Sequence, residues 1–117
     1  FVADTVRGFI AMLEAKGVEG EVVNLGSMHE ISVGDLALTI GELMGVKPVI
    51  KTEEVRLRPE KSEVERLLAD NSKAAKIMDW RPEYAGREGL KRGLQKTIEW
   101  FSDKGNLARY KVDIFNL

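Results

Sequence analysis

The sequence predicts an α/β chain that is mostly helical, of α+β character, and three observations carry that expectation. Apolar residues recur at helical spacing in several separate windows. Only two short runs are rich in β-branched residues and bounded by turn formers. Glycine, proline or a capping polar residue marks nearly every change of pattern. Two strands among five helical segments are too few for a complete doubly wound sheet.

Asp4 stands where an N-cap would, with Val6, Phe9, Ile10 and Leu13 following at helical spacing. A first helix is expected from about Asp4 to Ala15, ended by Gly17. Glu21 to Gly26 (EVVNLG) reads as a buried strand, and Ser27 to Ile31 as a loop. Ser32 with Asp35 is a relative of the capping box, and Leu36, Ile40, Leu43 and Met44 form a one-sided stripe behind it. Gly45 should close that helix in the left-handed conformation, and Pro48 to Lys51 is a second short strand. Ser62 can cap a short helix with Val64, Leu67 and Leu68 facing inward. Asp70-Asn71-Ser72 breaks it and caps another, ending near Met78. The chain is extended around Trp80-Arg81-Pro82. A last helix runs from about Arg87 to Asp103, with Leu90, Leu94, Ile98 and Phe101 on its inner face and Gly105 as its stop.

The 117 residues amount to one domain, 1–117, able to bury roughly two thirds of its unfolded surface. Apolar residues at 44% and charged residues at 32% describe an ordinary globular composition. A net charge of −1, from 18 basic and 19 acidic residues, argues against general nucleic-acid binding. No apolar run approaches the ~20 residues of a membrane span. There are no cysteines, which removes thiolate chemistry and fits a reducing, cytoplasmic setting. The single histidine, His29, cannot build a multi-histidine metal site. The opening FVADTVRGF, with no methionine and an apolar first residue, reads as a cut inside a longer protein.

Chemistry concentrates in Arg56 to Val64, RLRPEKSEV. Pro59 pushes Arg58 toward extended backbone, so Arg56 and Arg58 share a face while Leu57 takes the other. Two planar, five-donor cations on one side suit a phosphate or diphosphate. The alternative is a pair of solvated arginines with Glu60 and Glu63 as partners. Elsewhere the glycines Gly41 and Gly45, and Gly86, Gly89 and Gly93, lack the strand-then-helix context of a dinucleotide loop. Gly89 and Gly93 read instead as sites of close helix packing. His29 has only Glu30 as a candidate partner and reads as a solvated loop residue. No catalytic, cofactor-binding or metal-binding set emerges.

Several segments, in order, resemble the C-terminal part of the extended short-chain dehydrogenase/reductase family, the NAD-dependent sugar-nucleotide epimerases and dehydratases. FVADTVRGF is similar to the family's V-x-D helix start. EVVNLGS followed by EISVGDLA resembles its N-x-G-S turn and serine-capped helix. RLRPEKSEVERLLADNSKA resembles its Arg-Pro segment and D-x-S-K-A helix start, and W-x-P followed by EGLKRGLQKTIEWF its closing helix. The RPEKSEV form looks most like the nucleotide-hexose 4,6-dehydratases. Two departures stand out. The turn after Asn24 reads G-S-M-H where a further glycine is common, and M-D-W stands where L-G-W is usual. Met28 should disturb the geometry of that turn, and Asp79 should make a weaker C-cap.

The resemblance implies a C-terminal substrate-binding lobe whose Rossmann half, with NAD and the Tyr-x-x-x-Lys pair, lies upstream. Four residues after Tyr84 stands Glu88, and after Tyr110, Ile114, so this segment lacks that pair. The implied ligand is a nucleotide-diphosphate sugar. Arg58 matches the arginine that grips the diphosphate, Glu63 resembles the acidic residue that reaches the nucleotide in some members, and Arg56 is the weakest carry-over. The lobe would pack on its own Rossmann half and self-associate as a homo-oligomer. The rival expectation is an autonomous α/β protein-interaction module whose arginines hold acidic side chains.

Overall fold

The computed structural model describes residues 1–51 and 66–109. These residues form five helices: α1 (Val2–Glu14), α2 (Val33–Met44), α3 (Ser72–Met78), α4 (Gly86–Ser102) and α5 (Lys104–Leu107). α1 lies on α3, α2 on α4, and α5 folds back on the end of α4. There is no strand among the described residues, which corrects both strand expectations. The β-branched runs are present, but a strand exists only through ladder bonds to a neighbour, and neither run has one here. Val22 and Val49 are more than four-fifths exposed as a result. The 21–26 stretch is nevertheless placed: Leu25 fills the space over Gly8 of α1, and Gly26 lies against Ala69.

Local chemistry set most helix ends as expected. The Ser32 hydroxyl accepts from Asp35 N–H at 3.0 Å and donates to the Asp35 carboxylate at 2.7 Å. Gly45 ends α2 at φ 67°, in the left-handed region. At α3, Asp70 accepts from Ser72 N–H at 2.8 Å and from its hydroxyl, which frees Asn71 to donate to the carbonyl of Gly26. Three boundaries differ from expectation. α1 begins at Val2, so Asp4 lies inside its first turn rather than at its cap. Leu67 and Leu68 are non-helical and 79% and 58% exposed, so they do not face inward. Gly105 does not stop the last helix: Asp103 ends α4 and caps α5, accepting from Asn106 N–H at 3.0 Å.

The buried apolar centre is small, consisting of Ala74, Trp80 and Tyr84. Tyr84 packs against Phe1 with ring centroids 4.8 Å apart, under the glycines of α4. A Cβ at Gly89 would stand 2.6 Å from the Tyr84 carbonyl oxygen, and one at Gly93 3.0 Å from Phe1. These two glycines do mark close packing, although against a turn and the chain's first residue rather than another helix. The stripe on α1 stays open, with Phe9 65% and Leu13 86% exposed.

Candidate functional site

An open cleft of about 1280 Å³ runs between α2 and α4. The loop at His29 to Ile31 and the first half of α2 line one wall, with Ser32, Asp35, Leu38 and Thr39 among its residues. Arg66 and Leu67 enter from the coil that leads to α3, and Arg87 enters from the first turn of α4. Lys91 of α4 reaches Glu42 of α2 at 3.5 Å across the far end of the cleft. The volume is ample for a ligand of nucleotide size.

Most of the charge on the described walls is already matched. Arg66 donates to both carboxylate oxygens of Glu30, at 2.6 and 3.1 Å. The hydrogen bonding to Arg66, aided by its positive charge and opposed by desolvation, holds the Glu30 carboxyl below its ordinary range. Asp35 is taken by Ser32 and sits at the positive end of the α2 dipole. Arg87 makes no hydrogen bond or ion pair with any described residue.

The α4 wall is anchored from outside the cleft. The buried Asp4 carboxylate accepts from the backbone N–H of Glu83 at 2.9 Å and of Tyr84 at 3.0 Å, and it also pairs with Arg7. Burial alone would raise this carboxyl. The two backbone donors and Arg7 outweigh it, and the net shift is downward. Arg7 reaches on to Glu83 at 3.0 Å. From the other side, Arg92 donates to the Glu83 carbonyl at 2.7 Å and lies 5.6 Å over the Tyr84 ring. The 83–84 turn is therefore clamped between α1 and α4, immediately before α4 begins.

Of the residues singled out from sequence, Arg56, Arg58 and Glu63 lie outside the described residues. His29 lines the cleft, and its carbonyl accepts from the Ser27 hydroxyl at 3.1 Å. Its one candidate partner, Glu30, is committed to Arg66. Sequence reasoning missed Arg66, Arg87 and the tertiary role of Asp4. Only Asp4 left a signal, as the acidic residue of the V-x-D segment. Among the described residues no cluster of three or more acidic or histidine side chains could hold a metal, and no helix is long and apolar enough to cross a membrane. Gly89 and Gly93 offer no cradle for a dinucleotide, since Tyr84 and Phe1 fill the space beside them. These two glycines thus do not fit NAD.

The family profile for GDP-mannose 4,6-dehydratase matches residues 1–93. The chain belongs to this family, within the NAD-dependent sugar-nucleotide epimerases and dehydratases. Among curated proteins it is 34% identical over 110 residues to a UDP-glucuronate 4-epimerase of Thermodesulfobacterium geofontis, covering 93% of this chain and 31% of that protein. It is 31% identical over 112 residues to the dTDP-D-glucose 4,6-dehydratase of Homo sapiens, covering 88% and 29%. A UDP-N-acetyl-alpha-D-glucosaminuronate decarboxylase of Bacillus cytotoxicus is 28% identical over 108 residues, covering 91% and 32%. The chain thus spans about a third of the length of these relatives. No solved structure gives a significant match.

Proposed function

We propose that this chain is the nucleotide-sugar-binding lobe of a sugar-nucleotide dehydratase or epimerase. In this reading Arg58 grips the diphosphate, Glu63 approaches the nucleotide, and Arg56 contributes least. The observation that carries it is the family match over residues 1–93, which includes the Arg-Pro segment and runs on into the described cleft at Arg66. Each of the three relatives is named for a reaction on a nucleoside-diphosphate sugar. The family match also favours an enzyme lobe over an autonomous interaction module.

The lobe's part in the reaction is electrostatic and geometric. Gripping the diphosphate holds the sugar ring toward a catalytic portion that binds NAD, so binding energy far from the reacting carbons positions them. The lobe supplies no catalytic group of its own, and the 117 residues alone should turn over no nucleotide sugar. The open α1 stripe supports burial against that NAD-binding portion and self-association when it is missing. A charge-assisted bond contributes about 1.5–3 kcal/mol, so Arg58→Ala in the full-length protein should weaken nucleotide-sugar binding roughly ten- to hundredfold. Calorimetric titration of wild type and variant with UDP-glucuronate, dTDP-glucose and GDP-mannose measures this. Equal affinities would remove Arg58 from the site.

A further inference from the structure

We propose that Arg87 is a further ligand contact, a cation that meets the anionic part of a nucleotide sugar from the α4 side of the cleft, and that Asp4 is the positioning residue that places it. The inference rests on the reading of the cleft as a nucleotide-sugar site and adds a second wall to it.

Charge accounting singles out Arg87. Glu30 and Arg66 neutralise one another through a two-bond pair, and Glu42 is held by Lys91. Asp35 accepts the Ser32 hydroxyl and is compensated by the helix start on which it sits. Arg87 keeps its charge and all five donors unmatched by any described residue, on the rim of a cleft large enough for a nucleotide. A guanidinium is weakly hydrated and planar, and its fork matches two oxygens of a phosphate or a sugar carboxylate.

Asp4 enters because α1 contributes nothing to the cleft walls and still fixes one of them. Its carboxylate captures two consecutive backbone N–H groups, at Glu83 and Tyr84. Arg92 holds the same turn through the Glu83 carbonyl, and Gly89 leaves no slack above Tyr84. Arg87 follows Tyr84 by three residues, at most about 10 Å of chain. Whatever fixes Tyr84 therefore fixes where the Arg87 side chain starts. The coupling is mechanical and short.

The test is a double-mutant cycle in the full-length protein, titrated with UDP-glucuronate, UDP-glucose, dTDP-glucose and GDP-mannose. Arg87→Ala should weaken the preferred nucleotide sugar roughly ten- to hundredfold without lowering the melting temperature, because the side chain is exposed. Arg87→Lys should recover part of the loss, since it keeps the charge and loses the fork. Asp4→Asn keeps one acceptor of two and should weaken binding several-fold. The double variant should bind no more weakly than Arg87→Ala alone, because Asp4 acts through Arg87. Asp4→Glu, which keeps the carboxylate, runs in parallel under the same prediction of non-additivity. Wild-type affinity in Arg87→Ala overturns the contact. Additive losses with both Asp4 variants overturn the positioning role and leave Asp4 a stability residue only. A protein that binds none of the four sugars overturns the function and this inference together. Binding that Arg58→Ala weakens and Arg87→Ala leaves intact overturns this inference alone.

Discussion

Removing the Asp4 carboxylate should be among the most damaging single changes in the chain. Asp4→Ala strips the acceptor from the N–H groups of Glu83 and Tyr84. Tyr84 is 8% exposed, so its donor cannot turn to water, whereas that of the exposed Glu83 can do so in part. A buried donor left unmatched costs about 1–3 kcal/mol. The bond to Arg7 adds little, because the Arg7 side chain is 44% exposed and its charge is screened. The sum is about 2–4 kcal/mol, which in a domain of this size lowers the melting temperature by roughly 10–25 °C. Urea or thermal unfolding followed by circular dichroism measures it. The pH dependence supplies an independent check. The Asp4 carboxyl is lowered in the folded state, so its contribution is complete above the ordinary aspartate range near pH 4. It is lost as pH falls through the lower, folded-state value, because protonation then costs the folded chain more than the unfolded one. The stability gap between wild type and Asp4→Ala should therefore narrow as pH falls below the ordinary aspartate range. A melting temperature within about 2 °C of wild type at pH 7, or a gap that persists undiminished in acid, would refute the assignment of Asp4 as the acceptor that holds the turn.

Gly89→Ala should destabilise by about 1–3 kcal/mol, since the added methyl meets the Tyr84 backbone, which is clamped on both sides; chemical denaturation shows the shift in midpoint. Met28→Gly and Asp79→Gly should each stabilise by up to about 1 kcal/mol, the aspartate change less, because these residues sit at φ 51° and 49°, where a Cβ is unfavourable. An unchanged or lower melting temperature in both glycine variants would contradict the assigned backbone conformations.

Those two positions show how far sequence can reach. The family's pattern carries glycine near Met28 and at Asp79, and the two are the non-glycine residues with positive φ among those described. A requirement for left-handed backbone is local, so it is written in residue type and survives as a visible mismatch when the residue type changes. The same holds for Ser32, Asp35 and Gly45, whose side chains and backbone close α2 within one turn of themselves. The Asp4 misreading has the opposite origin. An aspartate three residues into a chain looks like a cap for its own helix, and its actual partners lie 79 and 80 residues away.

By itself, the sequence determined where four of the helices lie, how α2 begins and ends, and membership of a sugar-nucleotide enzyme family, since periodicity, capping and segment order each need only nearby residues. Tertiary structure decided the rest. The 21–26 and 48–51 runs have strand composition and no strand, because β structure is a property of a pair and composition describes one member. Arg66 and Arg87 carry no local mark of a site and become cleft residues only because α2 packs on α4. Asp4, outside that cleft, came to hold its wall through two backbone hydrogen bonds that no spacing rule could anticipate, because the donors are main-chain groups that every residue but proline possesses.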